Sequence, residues 1–327
     1  MSSPRVSICI PAYEQVDCLV RTLDSIALQD FRDFEIVVTD DSSDDRVERL
    51  LDDYDFGGRL RYFRNAERLG SPANWNQAIG RATGEYIKIL HHDDWLARSD
   101  SLGRFVAALD GDPQADFAFS GTRIVDARDG SERYHFASDD DVERLRSDPT
   151  TLFFGNFVGS PSATCYRAAA VRAFDESLRW LVDVDHYIRV LTANARFVYA
   201  DEALVATLEA TPHRVTAACL QDPAIDVAEH LALFAKLARR GQVTDAAPFR
   251  SHLRRRIEGA GALAPDDLRA AGYAGPLTPE ILRQMRRQRI VDALFAAPLR
   301  FTRRMAGHLR RSASAPVVDD DRSGISR

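Results

Sequence analysis

His91-His92-Asp93-Asp94-Trp95 follows directly on the apolar run Tyr86-Ile87-Lys88-Ile89-Leu90. The run reads as a buried strand, so two adjacent carboxylates stand at its end. Such a pair repels itself and resists desolvation unless a cation sits beside it. Oxygen-rich sites with few protein ligands suit Mg2+ or Mn2+, which complete their shells with water and phosphate. A solvated turn is the plain alternative. Against it stands a second acidic cluster, Asp40-Asp41-Ser42-Ser43-Asp44-Asp45, closing another strand signal, Phe34-Glu35-Ile36-Val37-Val38. In an open α/β sheet the C-terminal strand ends converge on one ligand crevice. Two acidic clusters at two such ends point to a site for a metal and a nucleotide.

Around these two strands the first 125 residues alternate strand and helix signals. Strands read at 6–10, 34–38, 60–63, 86–90 and 117–120, and helices at 17–29, from Asp44 or Asp45 to Tyr54, at 73–82 and at 99–109. That alternation predicts βαβ units and a mostly parallel central sheet flanked by helices, an α/β fold. Residues 127–149 read as an excursion of turns and charges, with Asp139-Asp140-Asp141 exposed. Further strand signals lie at 163–166, 196–199 and 204–208, with a helix at 183–192. After Thr211 the chain reads helical, at 223–240, 246–258 and 279–311, and from Ser312 it is polar and expected to be disordered. The expected division is a catalytic domain over 1–211, a helical basic extension over 212–311 and a tail over 312–327.

Composition bounds the function. The 327 residues are 45% hydrophobic and 28% charged, as in a globular protein with a sizeable core. No apolar run approaches the roughly 20 residues that span a bilayer, and the first residues lack a secretion signal, so a cytoplasmic location is expected. Cys9, Cys18, Cys165 and Cys219 have no metal-site spacing and read as reduced thiols. The net charge of −6 conceals a split, −14 over residues 1–211 against +9 over 212–311. An acidic N-terminal part speaks against a nucleic-acid partner and suits an anionic ligand that arrives with a cation. From Arg283 to Arg311 nine arginines and one acid, Asp292, alternate with large apolar residues. Packing of this stripe on the acidic part is the preferred reading. Peripheral contact of residues 283–311 with an anionic membrane is the second.

Four pieces stand in order: Val6-Ser7-Ile8-Cys9-Ile10-Pro11-Ala12-Tyr13, then Val38-Thr39-Asp40-Asp41-Ser42-Ser43, then Asn76 with Gly84-Glu85-Tyr86-Ile87, then His92-Asp93-Asp94. The series resembles the family 2 glycosyltransferases over roughly residues 5–210. The resemblance implies a GT-A fold and transfer of a sugar from a nucleotide-diphosphate donor. It places the nucleotide among Pro11, Ala12, Tyr13, Glu14 and Asp41, with Asn76 and Asp93 beside it. Trp75 stands where many relatives carry arginine, and Arg68 is the cation that takes its place. Asp94 inherits the metal contact, for Mn2+ or Mg2+, although the family's leading carboxylate is here His92. His92 is expected to line the site rather than bind metal, because hard cations prefer oxygen. His91 is expected on the opposite face of the strand end.

The segment Val182-Asp183-Val184-Asp185-His186-Tyr187-Ile188-Arg189 resembles the family's ED-x-D helix start, with Val182 in place of Glu. Asp183 thereby aligns with the general base. An aspartate at a helix N-terminus is stabilised as the anion, ready to take a proton at neutral pH; a simple helix cap is the alternative. Asp185 and Arg189 are spaced for an i,i+4 pair. His213 lies in the loop that often closes the family's site, and is a candidate metal or diphosphate ligand against a plain loop histidine.

The expected activity is inverting transfer from a UDP- or dTDP-sugar to an acceptor hydroxyl or amine. A cell-envelope glycan is the first acceptor to consider and a secondary metabolite the second. A nucleotidyltransferase would need a Gly-rich basic loop after the first strand, and Pro11-Ala12-Tyr13-Glu14-Gln15 has neither glycine nor lysine. A phosphoacceptor receiver would need a lysine at a later strand end, where neither Lys88 nor Lys236 stands. A non-catalytic sugar-nucleotide binder is the remaining rival, and the joint presence of Asp41, Asp94 and Asp183 weighs against it.

Overall fold

Among the described residues, nine strands form one sheet whose strand ends carry the site. The computed structural model describes residues 3–209 and 222–292. The chain begins with consecutive strand–helix units: β1 (Val6–Ala12), α1 (Val16–Ala27), β2 (Phe34–Asp40), α2 (Arg46–Asp52), β3 (Leu60–Arg64), α3 (Ala73–Gly80) and β4 (Tyr86–Ile89). β3, β2, β1 and β4 lie side by side and parallel. Every residue of β1 and β2 is buried, which is why their sequences are nearly continuous in apolar residues. The strand period of two still sorts them. Val6, Ile8 and Ile10 pack with Leu19, Leu23 and Ile26 of α1, whereas Cys9 joins Ile87 and Ile89 in the opposite core. Gly84 allows a close approach: a Cβ there would lie 2.7 Å from the Ser7 amide nitrogen.

Beyond β4 the sheet turns mixed. β5 (Asp94–Leu96), α4 (Ser101–Gly111), β6 (Phe117–Asp126), β7 (Glu132–His135), α5 (Asp139–Ser147), β8 (Thr164–Arg167), α6 (Val182–Ala193) and β9 (Phe197–Glu209) follow. The order across the sheet is β3-β2-β1-β4-β8-β6-β9-β5, with β7 paired to β6. β8 is antiparallel to β4 and β6, and β9 runs parallel to β6 and antiparallel to β5.

Two expectations are corrected here. Residues 127–149 are not an excursion of turns: β7 forms a hairpin with β6, and Asp139–Asp141 open α5. Ser138 Oγ accepts the Asp141 amide while the Asp141 carboxylate accepts the Ser138 amide, a reciprocal cap. The three acids then lie at the positive end of the helix. The separate signals at 196–199 and 204–208 are one strand, β9. Register shifts between Ser120 and Thr122 of β6 let the pairing continue past the polar residues between them.

The C-terminal part is helical: α7 (Pro223–Arg239), α8 (Ala246–Gly259), α9 (Pro265–Ala270) and a helical stretch over 279–292. Leu231, Leu253, Leu268 and Met285 belong to the same apolar cluster as Ile87, Phe117 and Tyr187. Arg283, Arg286, Arg287 and Arg289 are exposed on that last stretch. His213, Cys219, the remainder of the basic stretch and the polar tail lie outside the described residues. No described helix is long and apolar enough to cross a membrane.

Candidate active site

The C-terminal ends of β1, β2 and β4 open onto a cleft of about 360 Å³. Pro11, Ala12, Tyr13 and Asp41 form one wall, residues 91–94 the floor, and Trp180 with Asp183 the facing wall. Sequence positions far apart are thus brought together as the strand-end argument requires.

The floor is a turn held from three sides. The Asp94 amide donates to the His91 carbonyl at 3.0 Å. From α1 the Thr22 hydroxyl is shared between the carbonyls of His92 and Asp94, at 2.9 and 2.8 Å. The His91 amide donates to Ser162 Oγ at 2.9 Å. Below, the Lys88 ammonium is fully buried and donates to the carbonyls of Ser162, Ile89 and Thr164. Burial pushes Lys88 down to about 8.

Because the chain turns at His91, strand alternation ends there, and His91 does not face away from the site. Its imidazole lies against Trp75, ring centroids 4.5 Å apart, with Nδ1 4.0 Å from Asp94 Oδ2. Ligand atoms of His91, Asp93 and Asp94 lie within 4.8 Å of one another. One imidazole and two carboxylates at that spacing fit a divalent cation. His92 lines the cleft, and its Nδ1 is 3.1 Å from the Pro11 carbonyl oxygen.

On the first wall the adjacent carboxylates of β2's end divide their work. Asp40 is fully buried and accepts from the Ser42 amide and the Tyr62 hydroxyl, both at 2.9 Å. Asp41 accepts from Asn65 Nδ2 at 2.6 Å and from the amides of Leu69 and Gly70 at 3.2 and 2.7 Å. Asp41 therefore shapes the 65–70 loop, which carries Arg68 over the Tyr13 ring at 4.2 Å from its centroid. Glu14 sits in an adjoining cleft of about 280 Å³ with Tyr13, Asp41 and Arg68. Asn76 is placed differently from the expectation. It is not among the residues lining either cleft, and its amide bonds the backbone of Phe174, 98 residues away. Asn74, which sequence reasoning passed over, is the buried residue here: its side chain bridges Ala12, Thr39 and Asn65.

On the facing wall Asp183 stands in the first turn of α6. Its Oδ2 accepts from Asn156 Nδ2 at 2.8 Å and its Oδ1 from the Val184 amide at 2.8 Å. Burial nevertheless outweighs these bonds and pushes its carboxyl up to about 7. The helix terminus alone, which favours the anion, gave the opposite expectation. The Asp185–Arg189 pair forms at 2.7 Å, and Arg240, which caps α7, joins it at 3.1 Å.

A sequence model of the family described as "Glycosyl transferase family 2" matches residues 7–176, just over half of the chain. The chain belongs to this family. An uncharacterized protein of Mycobacterium tuberculosis is 31% identical over 210 residues, covering 59% of this chain and 64% of the relative. The match thus spans less than two thirds of the relative's own length. Among solved structures, S. aureus TarS 1-349 in complex with UDP-GlcNAc superposes with a TM-score of 0.60 at 17% identity, covering 86% of this chain and 78% of that one. The mannosyltransferase PcManGT from Pyrobaculum calidifontis, in complex with GDP-Man and Mn2+, gives 0.54 at 21% identity, covering 88% and 85%. At these identities the likeness establishes the GT-A fold of the chain.

Proposed function

We propose that the cleft moves a sugar, with inversion, from a UDP- or dTDP-linked donor to an acceptor hydroxyl or amine. One observation carries this reading: a carboxylate suited to take a proton, Asp183, faces a cation-competent cluster, His91-Asp93-Asp94, across one cleft. The complexes of the two solved GT-A structures, with UDP-GlcNAc and GDP-Man, support a nucleotide-sugar donor. Pro11, Ala12, Tyr13, Glu14 and Asp41 hold the nucleoside, with Arg68 stacked behind Tyr13. Asp183 accepts the proton of the acceptor hydroxyl as its oxygen attacks the anomeric carbon and the bond to the diphosphate breaks. A single in-line displacement inverts that carbon. When bound at His91, Asp93 and Asp94, a divalent cation supplies charge stabilisation for the leaving diphosphate. The imidazole ligand favours Mn2+ over Mg2+, whose preferred ligands are all oxygen. The family resemblance keeps a cell-envelope glycan as the first acceptor. The domain division at residue 211 is retained as a proposal, and so is peripheral membrane contact through 283–311, which vesicle cosedimentation tests.

Incubation with UDP- and dTDP-sugars and Mn2+ tests the core of the reading through slow donor hydrolysis followed by NMR. Release of the inverted anomer, abolished by chelator, is the expected result. The retained anomer contradicts inversion, and chelator-insensitive hydrolysis contradicts the cation.

A further inference from the structure

Glu229 lies on α7, beyond the segment that the family model matches, and its side chain is 5% exposed. One carboxylate oxygen accepts the Arg179 amide at 2.7 Å, and the other accepts the amides of Trp180 and Leu181, both at 2.8 Å. Three consecutive amides turned onto one carboxylate form an anion nest. The nest sits at the N-terminal end of α6, where the helix dipole also favours negative charge. Asp183 is two residues further on.

Residues 168–181 include no helix or strand, so their position is set by contacts rather than by an element of their own. α7 supplies those contacts repeatedly. Lys236 Nζ donates to Asp175 at 2.7 Å, and Arg240, the residue that caps α7, donates to Asp185 of the following α6 at 3.1 Å. Arg179 and Trp180 in turn line the cleft beside Asp183.

We infer that Glu229 is a positioning residue for sugar transfer, holding residues 179–181 and with them the acceptor-side wall and the turn that carries Asp183. It does so from behind the cleft wall, through backbone amides. The inference rests on the reading of Asp183 as the base. Small displacements of a base relative to its substrate are costly, with a misplacement of about 1 Å worth roughly 10²-fold in rate. Asn156 bonds Asp183, and Tyr166, Tyr187 and Glu229 are titratable groups that act on it electrostatically, the negative charge of Glu229 opposing its ionisation.

The test uses the full chain and Glu229→Gln, which keeps the shape and removes the charge. Binding of UDP with Mn2+, read by calorimetry, should stay at the wild-type value. The kcat for hydrolysis of whichever UDP- or dTDP-sugar the wild type turns over should fall about tenfold or more. The acidic limb of the kcat–pH profile should move to lower pH, because the anion beside Asp183 is gone, whereas a defect that only lowers the amount of folded enzyme leaves the limb in place. Glu229→Asp should restore the position of the limb. In the wild type, amide hydrogen exchange at 179–181 should be as slow as in α6, a readout that survives if Glu229→Gln fails to fold. Wild-type kcat and pH profile in folded Glu229→Gln, or fast exchange of 179–181 in the wild type, overturns the inference. Loss of UDP binding in step with kcat also overturns it. Full turnover in Asp183→Asn instead removes the reading beneath it, whatever Glu229 does.

Discussion

Asp183 receives the Val184 amide and the Asn156 side chain on its carboxylate and lies at a helix N-terminus, yet burial holds its proton to about pH 7. A base must be ionised to act, so kcat/KM should climb as pH rises through about 7 and fall below it. Asp183→Asn should erase that limb and lower turnover by about 10²–10⁴ while UDP affinity stays intact. A pH–rate profile with parallel calorimetry reads both. Asp41→Ala should do the converse. Its three donors fix the 65–70 loop and hence Arg68, so nucleotide affinity drops while kcat at saturating donor is largely kept. The carboxylates could be read from the sequence because the chemistry demands acids at strand and helix ends. His91 and Asn76 could not be placed that way. The side His91 faces depends on a turn that breaks strand alternation, and the partner of Asn76 is 98 residues distant.

Elements of the first half follow their sequence signals closely, since β1, β2 and β4 are buried on both faces and read as short apolar runs, too short for helices. The polar stretch after β6 was harder to read. α5 buries Val142 and Leu145 among exposed charges, so its weak apolar stripe is masked by Asp139–Asp141, and the Ser138 cap is the signal that marks it. Ser138→Ala should therefore cost about 1 kcal/mol in denaturant unfolding, with donor hydrolysis unchanged. A loss of activity would place α5 closer to the chemistry than its contacts do. β9 was split in the sequence reading because Asp201 and Glu202 interrupt the apolar pattern, although the backbone pairing runs on.

For the whole molecule, the helices of residues 222–292 share one apolar cluster with the sheet, and α7, with Asn76 of α3 and Asn156, ties down the wall that carries Asp183. Leu231→Ala should cost about 2–5 kcal/mol and leave a single unfolding transition. An early separate transition would mean that the C-terminal helices fold independently. The central claim is that nucleotide and cation occupy one cleft together. Thermal unfolding with UDP and Mn2+, singly and combined, in wild type and Asp94→Ala, tests it most directly. At 100-fold excess over Kd the combination should stabilise the wild type by about 2.7 kcal/mol, with the effect shrinking sharply without metal or in Asp94→Ala. Equal stabilisation by UDP with and without Mn2+ would contradict the account.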